Sequence, residues 1–143
     1  MRILEITIAE VEYAAHFLAK KFMEWNEPIP DFSMRFPGVL ESCLATPFTS
    51  FGGKKLYKGF TRRASMLFYL MIKNHPFKNG NKRIAMTALF YFLYKNKKWI
   101  KEDNKKLYNF AKWVAESDAE VKDATVEAIN KFLKIHAVNL SKK

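Results

Sequence analysis

The side chains best able to do chemistry in this sequence stand close together, between positions 75 and 83. They read His-Pro-Phe-Lys-Asn-Gly-Asn-Lys-Arg and combine an imidazole and three cations with two amides and a glycine. An imidazole can take a proton from a hydroxyl near neutral pH, and a guanidinium can hold a phosphate through two parallel hydrogen bonds. This stretch, which we call the signature segment, therefore predicts a phosphate site with a general base beside it.

Two apolar runs must position the signature segment. Residues 57–74 and 81–97 each carry enough large apolar side chains to form a buried helix, and the second run is apolar nearly all round. Pro76 requires the first helix to end by about His75, because proline lacks an N–H and disfavours a helical residue before it. We expect Phe77 to insert into the core and hold the connection in place.

The start of the second helix is expected to complete the phosphate site. Asn81 is a suitable N-cap with the Gly80 turn ahead of it, and helix N-termini attract anions. Lys82 and Arg83 fall in the first turn, where their charge opposes the helix dipole unless an anion binds. Taken singly, a histidine at a helix end or a Gly-Asn pair before a helix is more often structural than catalytic.

The order of these residues resembles the signature of the Fic/Doc family, usually His-Pro-Phe-x-acid-Gly-Asn, then Gly or Lys, then Arg. Lys82 looks like the death-on-curing (Doc) branch, in which lysine replaces the glycine of the members that transfer AMP. Residues 51–57 resemble the FGG-x-x-LY segment of Doc-type toxins, and residues 37–42 resemble their PG-x-LES helix start. Recognisable motifs cover about 37–95.

The resemblance implies an all-α fold, a compact helical bundle that forms a single domain over residues 1–143. A small β-hairpin flap is expected near 47–56, where a Gly-Gly pair favours a tight turn. The flap would position the target protein through Phe51, Gly52, Gly53 and Lys54. An ordinary exposed loop is the alternative for this stretch.

The resemblance also implies an activity. The chain would be a toxin of a toxin–antitoxin pair, transferring the terminal phosphate of ATP to a serine or threonine hydroxyl of a translation factor of the elongation factor Tu type. Its cofactors would be ATP and Mg²⁺, and a small antitoxin would neutralise it. Two alternatives stay open: Fic-type transfer of AMP to a protein hydroxyl, and a catalytically degenerate, basic binding module.

Site residues follow from the resemblance position by position. His75 would be the general base, and Arg83 would hold the nucleotide phosphates and offset developing charge. The nucleotide would be bound by the second half of the signature segment: Asn79, Gly80, Asn81, Lys82 and Arg83. The chain departs from the family at Asn79, where the usual acid helps to hold Mg²⁺, so Asn79 is expected to be a weak metal ligand.

An inhibitory motif of the family is missing from the sequence. Fic proteins are often held inactive by a helix that carries Ser or Thr, three residues, Glu, and then Gly or Asn. No serine or threonine here has that continuation. If the family reading holds, inhibition must come from another chain, which favours an antitoxin partner.

Composition narrows the class of protein. The chain has 143 residues, 49% of them hydrophobic, which suffices for one domain with a core. Its single cysteine, Cys43, excludes an intramolecular disulfide and is expected to pack as a small apolar residue.

With no secretory leader and no uncharged run long enough for a membrane span, we expect a cytoplasmic protein. The net charge of +11 suits an acidic protein, a nucleotide or nucleic acid, and lysines are densest between 95 and 106. We prefer an acidic segment of the antitoxin as the partner, with DNA as the alternative.

Local patterns predict the remaining elements. A capping box at Thr7 and Glu10 predicts a helix that extends to Trp25, followed by a loop over 26–36. Further helices are expected from Pro37 to about Ala45, from Asp103 or Asn104, and from Asp118 to about Ala137, with a brief extended piece at Trp99 and Ile100 and a frayed end from Asn139 to Lys143. The three tryptophans, at 25, 99 and 113, are expected to be packing residues, and His16 and His136 surface or packing residues.

Overall fold

A computed structural model describes residues 2–19 and 28–140. Within that part the chain forms six α-helices and two small antiparallel sheets of two strands each, so the all-α prediction is confirmed. The helices are α1 (Ile8–Tyr13, continued by a π-helical turn, Ala14–Leu18), α2 (Pro37–Ala45), α3 (Phe60–Lys73), α4 (Asn81–Lys95), α5 (Asn104–Glu116) and α6 (Lys122–His136). The strands are β1 (Ser50–Phe51), β2 (Lys54–Lys55), β3 (Lys98–Ile100) and β4 (Ala137–Asn139).

Helices α3 and α4 pack against each other at the centre, and α2, α5 and α6 pack around α3. Every residue of α3 from Arg63 to Ile72 is buried, and α4 is buried from Ile84 to Leu89. Burying both helices stabilises the fold through the hydrophobic effect and leaves their ends fixed in space. The prediction that both helices are buried is confirmed, although they span 60–73 and 81–95, a few residues less than 57–74 and 81–97.

Cys43 lies on α2 and packs against α3. It is fully buried, and its thiol donates to the carbonyl of Leu70 at 3.4 Å. Burial raises the pKa of the thiol to about 11, because the thiolate would lose its hydration. The expectation that Cys43 is a packing residue is confirmed.

The predicted capping box starts α1. The Thr7 hydroxyl accepts from the Glu10 N–H at 3.2 Å, and the Glu10 carboxylate accepts from the Thr7 N–H at 2.9 Å. The same carboxylate pairs with Lys95 at 2.8 Å, which joins the start of α1 to the end of α4. The expected continuation to Trp25, and the first part of the loop over 26–36, lie outside the described residues.

The flap is a short hairpin, as predicted, with Ser50 opposite Lys55 and Phe51 opposite Lys54. Gly52 and Gly53 have φ values of 60° and 79°, the left-handed pair that a two-residue hairpin turn requires. The start of the predicted stretch differs, because residues 46–48 form a 3₁₀ turn, Thr46–Phe48, ahead of the hairpin.

The second sheet joins two distant parts of the chain. The extended piece expected at Trp99 and Ile100 is confirmed as β3, which pairs with β4 in the register Lys98 to Asn139 and Ile100 to Ala137. The expectation of fraying is wrong for Asn139, whose side-chain oxygen also accepts from Lys98 Nζ at 2.7 Å. Residues 141–143 lie outside the described part.

The two described tryptophans both pack against a phenylalanine ring, as expected, but they differ in exposure. Trp99 packs on Phe90 with ring centroids 4.7 Å apart, whereas Trp113 is 49% exposed and stacks on Phe110 at the surface. Trp25 lies outside the described residues. None of the described helices combines the length and the apolar character needed to cross a bilayer.

Candidate functional site

The signature segment connects the end of α3 to the start of α4. Helix α3 ends at Lys73 with Asn74 as its C-cap, as the proline at 76 requires. His75 follows in a left-handed conformation, with φ of 50°, and its side chain is exposed. Histidine is one of the few non-glycine residues that adopt this conformation with any frequency, and such backbone strain concentrates at functional sites. The imidazole is therefore held at the surface at the very end of a buried helix.

Phe77 anchors the connection, as predicted. Its side chain is 1% exposed, and its ring centroid lies 5.8 Å from that of Phe32. The neighbouring Pro76 carbonyl accepts a hydrogen bond from the Phe36 N–H at 2.9 Å. These contacts tie the first half of the signature segment to the turn that precedes α2.

Asn81 does not cap α4, and this expectation is wrong. Gly80 is the N-cap, in the left-handed region with φ of 74°, and Asn81 is already the first helical residue. The Asn81 side chain instead closes a ring with the backbone of Phe77, accepting from its N–H at 3.0 Å and donating to its carbonyl at 2.7 Å. Asn81 therefore acts as a brace across the loop.

Gly80 is buried, and the chain at Pro28 and Ile29 packs against it. A Cβ at this position would lie 2.6 Å from the carbonyl oxygen of Pro28 and 3.2 Å from Cδ1 of Ile29. The glycine is thus needed twice, for its left-handed conformation and for the close approach of another backbone segment. One face of the predicted anion cradle is consequently packed against protein.

Lys82 and Arg83 occupy the first turn of α4 and are half-buried. Arg83 Nε donates to the carbonyl of Ala19 at 3.1 Å, so the guanidinium is oriented by the end of the N-terminal helix. The Thr87 hydroxyl donates back to the Arg83 carbonyl at 2.9 Å. Guanidinium groups bind phosphate oxygens through parallel hydrogen bonds, which is the role that the sequence predicts for Arg83.

The donor set fits a phosphate better than it fits a metal ion. Exposed Lys78 and Asn79, half-buried Lys82 and Arg83, and the helix N-terminus all favour an anion. No cluster of three or more His, Cys, Asp or Glu side chains occurs in residues 2–19 and 28–140. Asn79 offers one neutral oxygen, so any Mg²⁺ here would take most of its ligands from nucleotide phosphates and water.

Among the concavities of the described residues are three whose lining includes neither His75 nor Arg83. A groove of about 530 Å³ borders Asn74 and the first turn of α2, next to the signature segment. A larger, mainly apolar hollow of about 850 Å³ lies against α4, between Tyr91 and Trp99, and a third of about 460 Å³ lies at the flap. The convergence of His75 and Arg83 on one phosphate chain stays a prediction.

Sequence reasoning missed one polar residue of interest. Arg63, in the first turn of α3, is only 6% exposed and lines the concavity at the flap. A signal was present: Arg63 stands three residues after Phe60 and four before Leu67, which is the spacing of the buried stripe of the helix. A cation on that stripe indicates a buried charge.

Comparison with protein-family models places the sequence features in context. A model of the Fic/DOC family matches residues 6–93, which is more than half of the 143-residue chain. The matched range runs from before α1 to the last turns of α4 and includes the flap and the whole signature segment. Comparisons with curated proteins and with solved structures gave no significant match.

Proposed function

The chain belongs to the Fic/DOC family, a family of protein-modifying transferases, and from this premise we propose that it is a Doc-like toxin acting as a kinase. It would transfer the terminal phosphate of ATP to a serine or threonine hydroxyl of a translation factor of the elongation factor Tu type. A small antitoxin protein would hold it inactive.

One observation carries the proposal: the signature segment is rigidly mounted while its reactive groups stay accessible. Phe77 is buried and braced by Asn81, whereas the His75 imidazole is exposed at the end of α3. A structural histidine would be expected to pack or to bond within the fold. Holding reacting groups in fixed positions is the main contribution a protein can make to phosphoryl transfer.

The proposed step assigns each group a task. His75 takes the proton of the target hydroxyl as its oxygen forms a bond to the γ-phosphorus of ATP. The bond between that phosphorus and the β–γ bridging oxygen breaks, and ADP leaves with the electron pair. Lys82, Arg83 and the N–H groups of the first turn of α4 offset the negative charge on the phosphate oxygens. Asn79 would contribute one ligand to Mg²⁺ that arrives with the nucleotide.

Three features support the finer parts of the proposal. Lys82 stands where members that transfer AMP carry glycine, and a cation in the first turn of α4 suits a terminal phosphate of high charge. The flap exposes the backbone of a two-residue strand, Lys54–Lys55, along which an extended segment of a target could pair. The net charge of +11 suits an acidic antitoxin.

Labelled nucleotide distinguishes the candidate functions. The pure protein would be incubated with Mg²⁺, a bacterial lysate, and ATP that carries the radiolabel on either the α- or the γ-phosphate. Label on protein from the γ-position alone supports the kinase, and label from the α-position alone supports AMP transfer. Label from neither position would leave the basic binding module as the better description, to be tested by salt-sensitive DNA binding.

A matched pair of variants connects the label to the site. His75→Asn removes the base but suits the left-handed backbone, because asparagine tolerates positive φ. His136→Asn is the control, since His136 lies at the end of α6, where it contacts Glu102 and Phe132. Loss of labelling and of growth inhibition in the first variant alone is expected. Equal activity of His75→Asn and the parent protein would refute His75 as the base.

A further inference from the structure

A polar hollow of about 460 Å³ lies where the flap joins the body of the protein, and we call it the flap-root pocket. Its polar lining consists mainly of Arg2, Glu5, Lys55 and Arg63. Arg63 lies ten residues before the end of α3, which is about 15 Å along a helix axis, and the signature segment begins beyond that end. The flap-root pocket is therefore separate from the proposed transferase site.

Arg63 is the informative residue of the pocket. It is 6% exposed, its Nε donates to the Tyr57 carbonyl at 2.8 Å, and its guanidinium carbon lies 5.7 Å from the centroid of the Phe48 ring. In the described part of the chain neither of its terminal amino groups donates a hydrogen bond, and no carboxylate pairs with it. Arginine is rarely this buried unless it is paired. Arg63 therefore combines terminal amino groups that donate no hydrogen bond with a place in the lining of the pocket.

The other charges of the pocket do not neutralise Arg63. Among the residues that the structure describes, Glu5 forms no ion pair within 4.0 Å with Arg2, Lys55 or Arg63. Three cations and one carboxylate leave an excess of two positive charges. A phosphate group at neutral pH approaches two negative charges and offers several acceptor oxygens, whereas a carboxylate carries a single charge.

We propose that the flap-root pocket binds a phosphate group. Both terminal amino groups of Arg63 donate hydrogen bonds to the phosphate in the bidentate manner. Lys55, on the flap, and Arg2, in the segment before α1, contribute positive charge. The group belongs to a free phosphate or to a small phosphorylated molecule. The inference does not depend on the activity proposed for the signature segment.

Binding at this position would fasten the flap to the helical body. Lys55 belongs to β2 and Arg63 to α3, so one phosphate would bridge the hairpin and the helix. The Leu56 N–H, which follows β2, donates to the Thr49 carbonyl at 3.0 Å and reports on opening of the hairpin. A bound phosphate is expected to slow hydrogen exchange of the Leu56 amide.

The test uses the whole chain and amide resonances assigned by nuclear magnetic resonance. Inorganic phosphate is titrated at constant ionic strength, maintained with chloride, while the amides of Glu5, Lys55 and Leu56 and the Nε–H of Arg63 are followed. Malonate, a dicarboxylate, is titrated in parallel. Amides of residues 80–83 report separately on any anion at the signature segment, so failure of the two proposals can be told apart.

Arg63→Lys keeps the charge but loses the bidentate edge, and phosphate should bind about tenfold more weakly at the pocket. Arg2→Ala and Lys55→Ala change exposed side chains and should each weaken binding several-fold without unfolding the protein. Lys54→Ala is the matched control, because alternate residues of a strand point to opposite faces and Lys54 does not line the pocket.

The site is supported if phosphate causes saturable chemical-shift changes at the pocket, with an affinity that Lys54→Ala leaves unchanged and Lys55→Ala lowers. Equal weakening by Lys54→Ala and Lys55→Ala would show only attraction by net charge and would overturn it. Tighter binding of malonate than of phosphate would overturn the assignment to a phosphate group. Chemical shifts that do not saturate at millimolar phosphate would indicate an adventitious ion only and would also overturn the assignment.

Discussion

Gly80 offers the sharpest test of how the signature segment is held. Replacing it with alanine adds a Cβ in a backbone conformation, φ 74° and ψ 17°, that costs an L-residue about 1–2 kcal/mol. The new atom would also lie 2.6 Å from the Pro28 carbonyl oxygen, against 3.4 Å for the start of ordinary contact. Moving that backbone costs about 1–3 kcal/mol more, as overpacking does elsewhere. Gly80→Ala should therefore destabilise the protein by about 2–5 kcal/mol.

Two other glycines separate these contributions. Gly52 also has a positive φ, of 60°, but a Cβ there would meet nothing within 4 Å, so Gly52→Ala measures the backbone cost alone. Gly38 lies in α2, with ordinary φ and open space, and Gly38→Ala should be neutral or slightly stabilising. The difference between the stability losses of Gly80→Ala and Gly52→Ala then measures the cost of the close contact with the Pro28 backbone.

Thermal and denaturant unfolding would measure the three variants side by side. For a chain of this size about 1 kcal/mol corresponds to about 2–4 °C, so Gly80→Ala should lower the Tm by about 4–20 °C and Gly52→Ala by about 2–8 °C. Equal losses for these two variants would refute the reasoning, because the contact with Pro28 would then contribute nothing.

Three further predictions follow from the site and the core. Asn79→Asp should tighten Mg²⁺-dependent ATP binding several-fold, and calorimetric affinities that are the same with and without Mg²⁺ would show that residue 79 does not face the metal. Asn81→Ala removes both hydrogen bonds to the Phe77 backbone and should destabilise the fold by about 1–3 kcal/mol in urea; an unchanged midpoint would contradict the brace. Burial alone would raise the pKa of Glu10, but hydrogen bonds from Lys95 and from the helix cap outweigh burial and hold the pKa below its usual value. The stabilisation from the Glu10 carboxylate is therefore present above the pKa of the unfolded chain and is lost as the pH falls through the pKa of the folded protein. Glu10→Gln should consequently lower stability by about 1–2 kcal/mol at pH 7 and make no difference near pH 2, and a loss that persists at low pH would count against this account.

Elements set by local chemistry could be predicted from the sequence. The capping box at Thr7 forms both of its hydrogen bonds, and the Gly-Gly pair at 52 and 53 forms the expected hairpin turn. Phe77 is the buried anchor that the motif suggests. In each case the residues that decide the conformation lie within a few positions of one another, so the pattern contains the necessary information.

Features decided by distant contacts could not be predicted in the same way. Asn81 has the chemistry of an N-cap, but its amide braces Phe77 because Gly80, pressed by Pro28, takes the cap position. The pairing of β3 with β4 joins segments about forty residues apart and orders Asn139, which the sequence suggests is frayed. These outcomes depend on which surfaces meet when the helices pack, and local propensity does not specify that.

The position of α3 explains why the two proposed sites are physically independent. The flap-root pocket lies at the first turn of α3, and the signature segment follows the last turn of the same helix. Because the helix is buried from Arg63 to Ile72 and Arg62 pairs with Glu127 of α6 at 2.8 Å, it cannot slide or rotate without breaking packed contacts along its length. Packed interiors shift between discrete arrangements and do not deform continuously. A phosphate at the flap root would therefore order the hairpin without moving His75, and any effect on transfer would have to act through a target protein that contacts both.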